Sequence, residues 1–292
     1  MTTNLEVIDV REILTENKVL NDFILRNLNT SLLSIGFSKS FLNDLLPNLS
    51  NLDVKNFGEK WAYDLEHTYS IGFFQQLVPK YFSNYVVPAT PSSSKILDVG
   101  CGTGILGKLY AEDPRFKEIV GIDIQSYPEW ETFKNEKIIF RVVKEPDFPV
   151  FLKKERPDSI VITWTLHHME YAEQERYLEY IYDCLKPGAH IIVLEDSYSI
   201  TLAPENGATK YAEFMRWDIE ERKLIMSVYD WVANRVLAQR EEVPIPCAYR
   251  TIEEWSHLLN KKGFTVVAQK FIGFPDQRDI HTPQSLLIAQ KR

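Results

Sequence analysis

Two adjacent histidines, His167 and His168, stand in Thr163-Trp164-Thr165-Leu166-His167-His168-Met169, where an apolar segment gives way to polar residues. An imidazole near its ordinary pKa can take a proton from a hydroxyl or phenol while the oxygen attacks an electrophilic carbon. His167 is the candidate base, and His168 reads chiefly as a structural partner in the same turn. A second constellation lies upstream, in Lys95-Ile96-Leu97-Asp98-Val99-Gly100-Cys101-Gly102-Thr103-Gly104. An apolar strand bearing Asp98 runs into three glycines, and a helix-compatible run from Ile105 follows at once. Such a turn has little side-chain bulk, so it presents bare N–H groups to a ligand. Asp123 closes the next apolar run, Val120-Gly121-Ile122-Asp123-Ile124, where an acid can accept hydrogen bonds from ribose hydroxyls.

Those residues need a scaffold that brings strand ends together. Segments 117–124, 138–143, 159–165 and 189–195 read as strands, and 173–185 as a helix ended by Lys186-Pro187-Gly188. Alternation of this kind predicts a parallel sheet with helices on both faces and a ligand crevice at the carboxyl ends of the strands. Residues 264–271 and 284–290 form a terminal strand pair. Segment 251–262 is a helix opened by a Thr251–Glu254 capping box. A sixth strand parallel to the others would open its exit loop on the ligand side, making Arg278 and His281 candidate substrate contacts.

Ahead of the glycines, residues 1–86 read as a helical cap, followed by a linker at Pro88, Pro91 and Ser92 to Ser94. Val7, Ile8, Val10, Ile13 and Leu14, then Leu20, Phe23, Ile24 and Leu28, recur at helical spacing, and 38–46 is a short helix stopped by Pro47. Residues 87–292 form the main domain, interrupted at 197–250 by a helical insertion whose pattern runs unbroken over 210–239. In that insertion Asp230 shares a face with Asn234, and Trp231 with Arg235.

The composition narrows the chemistry. Acids outnumber bases 41 to 33, for a net charge of −8. No basic cluster could displace counterions from phosphates, so nucleic acid is not the expected partner. The three cysteines, Cys101, Cys184 and Cys247, lack metal-ligand spacing, and Glu195 and Asp196 are expected on opposite faces of a strand, so no metal site is expected. With no leader and no membrane-length apolar run, a cytoplasmic protein free of membrane is expected.

The glycine turn can be read two ways. Gly102, Gly104 and Gly107 fit a dinucleotide fingerprint, which alone would suit a nicotinamide dehydrogenase. Asp98 followed by Gly100, Gly102 and Gly104, together with Asp123, the Leu166-His167-His168 strand end and Lys186-Pro187-Gly188, resembles the class I S-adenosylmethionine-dependent methyltransferases of small-molecule type. The resemblance covers about residues 60–292. It implies a Rossmann-like, mostly parallel seven-stranded sheet with an antiparallel terminal strand. It also implies S-adenosylmethionine as methyl donor, with S-adenosylhomocysteine as product. The cofactor contacts it implies are Tyr69, Asp98, Gly100, Cys101, Gly102, Asp123, Ile124, Thr163, Trp164 and Thr165, with Asp98 toward the ammonium group, Asp123 on the ribose and Ile124 beside the adenine. His167, His168, Arg278 and His281 are the catalytic candidates. In-line methyl transfer to a small or medium organic acceptor, first of all to oxygen, is the expected reaction. A peptide or protein methyltransferase and a non-methylating S-adenosylmethionine-binding protein are the alternatives, and the N-terminal helices are a candidate homodimer surface.

Overall fold

The computed structural model describes residues 10–276 and 282–292. Seven strands make one sheet: β1 (Ser93–Val99), β2 (Phe116–Asp123), β3 (Ile138–Val142), β4 (Ser159–Thr163), β5 (His190–Asp196), β6 (Phe264–Gly273) and β7 (Gln284–Lys291). Their order is β3-β2-β1-β4-β5-β7-β6. The first five pair in parallel, and β7 runs antiparallel to both β5 and β6. Helices cover both faces, so the central strands carry no polar face: Ile160, Val161, Ile162, Ile191, Ile192 and Leu194 are fully buried. Strand order reverses between β1 and β4. Val99 pairs with Ile122 on one side and Ile162 on the other, which brings the ends of β1, β2 and β4 level at that switch point.

Among the described residues, thirteen α-helices surround the sheet. Before it come α1 (Val10–Glu16), α2 (Lys18–Ile35), α3 (Lys39–Leu45), α4 (Val54–Asp64), α5 (Gln75–Tyr81) and α6 (Val87–Ala89). Within it lie α7 (Ile105–Glu112), α8 (Glu129–Thr132), α9 (Phe148–Glu155), α10 (Tyr171–Cys184), α11 (Ala208–Phe214), α12 (Ile219–Trp231) and α13 (Ile252–Lys261). Asn17 and Ser38 cap α2 and α3, and the Thr251–Glu254 capping box opens α13 as expected. Wide π-type turns over Leu65–Phe74 and Phe82–Val86 carry the aromatic stretch up to α6. The helical cap therefore reaches Ala89, with Pro88 tolerated in the first turn of α6, and the linker is shorter than the prolines suggest.

The insertion also differs from its sequence pattern. Its helix is broken at Met215–Trp217, because the Asp218 carboxylate takes the Glu221 N–H at 2.8 Å while the Glu221 side chain returns to Asp218 N. A side chain that satisfies free backbone donors starts a new helix rather than continuing an old one. Val232–Leu237 then prolongs α12 as a further π-type turn.

The cap is fastened to this insertion. Leu20, Phe23, Ile24, Leu28 and Leu32 are buried along α2. The Phe23 ring lies 5.1 Å from that of Trp217, and Asn17 donates to Glu221 at 3.2 Å. The apolar face that could have served a second copy is thus used within the chain. No helix among the described residues is long and apolar enough to cross a membrane.

Candidate active site

The glycine turn leaves β1 with Gly100, Gly102 and Gly104 all at positive φ. At Gly100, φ +72°, a Cβ would lie 2.3 Å from Thr165 Oγ1; at Gly104 it would lie 2.4 Å from the Phe140 ring. The chain therefore needs glycine at both places, for conformation and for space. Gly102 faces open space, and its N–H donates to Asp123 Oδ2 at 3.0 Å. Burial raises the Asp123 carboxyl above its ordinary pKa, partly offset by the N–H groups of Gly102, Gln125 and Ile124.

Beside this turn opens a crevice of about 440 Å³, within the range of small-molecule and cofactor sites. Gly100, Gly102, Asp123, Ile124, Trp164 and Thr165 line it, as do Glu145 and Arg176, paired at 2.5 Å. Cys101 and Thr163 lie outside its wall, and burial pushes the Cys101 thiol up. Tyr69 lies in the wall of an adjoining cavity instead.

Asp98 is buried beneath the turn with neither carboxylate oxygen hydrogen-bonded. Burial first, and the charge of Asp123 second, raise its pKa to about 7. Unpaired buried carboxylates are costly. Two orphaned acceptors under a glycine turn that faces a ribose-type acid fit a nucleoside ligand that carries an ammonium group.

The adjoining cavity, of about 110 Å³, is walled by Tyr69, Phe74, Leu77, Val78, Tyr81 and Ala233. It shares Trp164, His168, Asn234 and Arg240 with the crevice. Trp164 is at positive φ, its ring packed against Phe82 at 5.2 Å and Tyr81 at 5.8 Å. Its indole N–H donates to Gln284 at 2.5 Å.

At the polar end of this cavity the two histidines have diverged. His167 Nδ1 lies 2.6 Å from Glu195 Oε2, and the Glu195 carboxylate also accepts the N–H groups of Thr165 and Leu166 at 3.0 and 2.8 Å. His167 Nε2 lies 3.9 Å from Asp196 Oδ2 and 4.0 Å from Asp230 Oδ2. Burial alone would lower its pKa, but the charges of Glu195 and Asp196, the hydrogen bond to Glu195 and the charge of Asp230 outweigh it and raise the value to about 10. His168 goes the other way, held well below its ordinary value by burial and by the positive charge of His167. Its Nδ1 lies 2.8 Å from the Pro244 carbonyl, which can only accept, so Nδ1 carries the proton and Nε2 the lone pair.

Several of these arrangements depart from the sequence reading. Glu195 and Asp196 both reach His167, because the Leu166–His168 turn rises past the end of β4 and sets that ring between them. His167, His168 and Asp230 hold donor atoms within 4.8 Å of one another, a grouping hidden from spacing rules because its members lie on distant elements. Asp230 and Asn234 do share a face, with Asn234 Nδ2 donating to Asp230 Oδ1 at 2.6 Å. Tyr249, which donates to Asp230 Oδ2 at 3.0 Å, and Arg240 lie in the irregular segment between Leu237 and Ile252, and Gln284 opens β7; none of the three carried a sequence signal. Arg278 and His281 lie outside the described residues.

A doubly wound sheet of order β3-β2-β1-β4-β5-β7-β6, with a glycine turn and a second-strand acid at its switch point, defines a class I S-adenosylmethionine-dependent methyltransferase fold. Residues 69–269, well over half of the chain, match the family model described as a methyltransferase domain. The chain belongs to that family: it is a methyltransferase, and S-adenosylmethionine is its methyl donor. No curated protein matches it. Among solved structures it is similar to human N-acetylserotonin methyltransferase in complex with S-adenosylmethionine (19% identity, 94% of this chain and 66% of that one, TM-score 0.47). It is also similar to the Burkholderia thailandensis 1,6-didemethyltoxoflavin-N1-methyltransferase (14%, 82% and 91%, 0.48). A third is a Haloferax volcanii methyltransferase solved with its Trm112 activator (14%, 80% and 96%, 0.49).

Proposed function

We propose that this enzyme methylates a hydroxyl of a small organic acceptor held in the aromatic cavity. The observation that carries the reading is the shared wall: Trp164, His168, Asn234 and Arg240 border both the crevice and the cavity, so an acceptor there adjoins the methyl donor. S-adenosylmethionine supplies a methyl group already activated on a sulfonium, and its departure leaves S-adenosylhomocysteine. Gly100 and Gly102, whose N–H groups are donated to Ile122 and Asp123, would let it approach the main chain closely, with Asp123 on the ribose, Ile124 beside the adenine and Asp98 toward the ammonium.

The protein's task is then alignment and removal of one proton. As the acceptor oxygen bonds to carbon it becomes strongly acidic, so even a weak base suffices. His168 is neutral at physiological pH with its Nε2 lone pair free, whereas His167 already holds its proton. We therefore assign the base role to His168 and a positioning role to His167, the reverse of the roles the sequence suggests. Glu195 fixes the turn that carries both, and the aromatic wall excludes water.

The test is release of S-adenosylhomocysteine from the purified protein with a panel of phenols and alcohols. His168→Ala should lower kcat by roughly 100-fold or more while S-adenosylmethionine affinity is kept. Turnover with peptides alone, or none with any acceptor, would sink the proposal.

A further inference from the structure

Between Leu237 and Ile252 the chain forms no helix or strand, so its main-chain carbonyls look to side chains for donors. His168, Gln174, Tyr171 and Ser197 serve four of them, at Pro244, Ala248, Tyr249 and Arg250. Arg235 serves two more. From the turn that prolongs α12, its guanidinium donates through Nη1 to the Arg240 carbonyl and through Nη2 to the Val243 carbonyl. The Arg240 N–H returns to the Asn234 carbonyl at 2.8 Å, and Gln125 donates to Glu242 at 3.2 Å. The strap so held borders the cofactor crevice through Glu242, Val243 and Pro244. A planar fork of five donors suits two carbonyls at a fixed separation, which a single ammonium group does not.

We infer that Arg235 is a positioning residue that decides which nitrogen of His168 carries the proton. This rests on the base role given to His168 above. A peptide group is planar and the Pro244 ring fixes φ. With the Val243 carbonyl clamped, ψ of Pro244 is therefore the one torsion that still steers the Pro244 carbonyl. That carbonyl lies 2.8 Å from His168 Nδ1. The hydrogen bond made by one ring nitrogen sets the protonation of the other. With the carbonyl held in place the proton sits on Nδ1, and Nε2 keeps its lone pair for the acceptor. Once the carbonyl drifts, the imidazole returns to its intrinsic preference for Nε2–H, a donor that cannot take a proton. Arg235 itself borders neither the crevice nor the cavity, so its effect on the reaction passes through the strap.

The experiment is nitrogen-15 NMR of the histidine-labelled enzyme saturated with S-adenosylhomocysteine, which tells a protonated ring nitrogen from a bare one. Loss of signals in His168→Ala assigns those of His168. In the wild type Nδ1 should be protonated and Nε2 bare. In Arg235→Ala the tautomer ratio should move toward Nε2–H by roughly tenfold. Arg235→Lys, which keeps one donor, should fall between, and it decides the matter alone if the alanine variant does not fold. Unchanged signals from His190, at the start of β5, and His257, on α13, certify the fold. A wild-type His168 protonated at Nε2, or one tautomer common to wild type and variants, overturns the inference. Turnover of a phenol from the panel gives the second readout. Arg235→Ala should lower kcat roughly tenfold in the wild type and by less than about twofold in His168→Ala. Equal losses in the two backgrounds would make Arg235 a general support of the fold and overturn the inference. Because the tautomer is read without turnover, a shifted tautomer with unchanged kcat counts against His168 as base and leaves the clamp standing. A fallen kcat with an unshifted tautomer counts against the clamp.

Discussion

Burying the Asp98 carboxylate without a hydrogen bond is a cost that cofactor binding can relieve. Its folded pKa of about 7 stands above the ordinary 3.8, so its contribution to stability is greatest below pH 3.8 and is lost as pH rises through 7. Asp98→Asn should therefore stabilise the ligand-free protein above pH 7 by roughly 1–3 kcal/mol and weaken S-adenosylmethionine binding at least tenfold. Denaturant melts and calorimetry read the two effects, and a destabilised variant with unchanged affinity would contradict the assignment. His167 carries the same sign from a different cause. Its folded pKa of about 10 exceeds the ordinary 6.5, so the stabilisation its proton brings is complete below pH 6.5 and disappears as pH rises through 10. His167→Gln should remove that alkaline loss relative to wild type, and identical pH slopes for the two proteins would refute the charged state. The sequence made both histidines visible as candidates. It ranked His167 first as base, the opposite of the assignment made here, because the ranking depends on Glu195, Asp196 and Asp230, which approach His167 only after β5 and α12 are in place.

Elements, by contrast, were largely legible in the residue pattern. The central parallel strands show as apolar runs because both faces are covered, the edge strand β3 is apolar though half-exposed, and the Thr251–Glu254 and glycine signals mark their own turns. What misled was the insertion, where apolar spacing continued across a helix break that Asp218 decides locally. The cofactor turn tolerates little change. Gly100→Ala would place its Cβ 2.3 Å from Thr165 Oγ1 at a φ that L-residues avoid. A loss of roughly 1–3 kcal/mol in stability is expected, with cofactor affinity falling in parallel. Thr165→Ala should restore only part of it, since it relieves the nearest contact and leaves the backbone strain. Full recovery in the double variant would show that conformation contributes nothing at this turn.

Across the whole molecule, the N-terminal cap and the insertion act as one wall of the site. α12 carries Asp230 into the cavity, and its outer face is braced by α2 through Phe23 against Trp217 and Asn17 against Glu221. The glycine turn has no such dependence, since its contacts run to β2, Phe140 and Thr165. Loosening the cap should therefore damage acceptor recognition before cofactor binding. Phe23→Ala removes a buried ring and is expected to cost about 3 kcal/mol of stability. At a temperature where the variant is still folded, its KM for the acceptor should rise several-fold while its affinity for S-adenosylhomocysteine stays within error of wild type. Trp217→Ala should reproduce the effect, and the double variant should cost less than the sum, because the two rings share one contact. Equal weakening of acceptor and cofactor would mean that the cap supports the fold generally, and an unchanged KM would mean that α12 holds Asp230 without it.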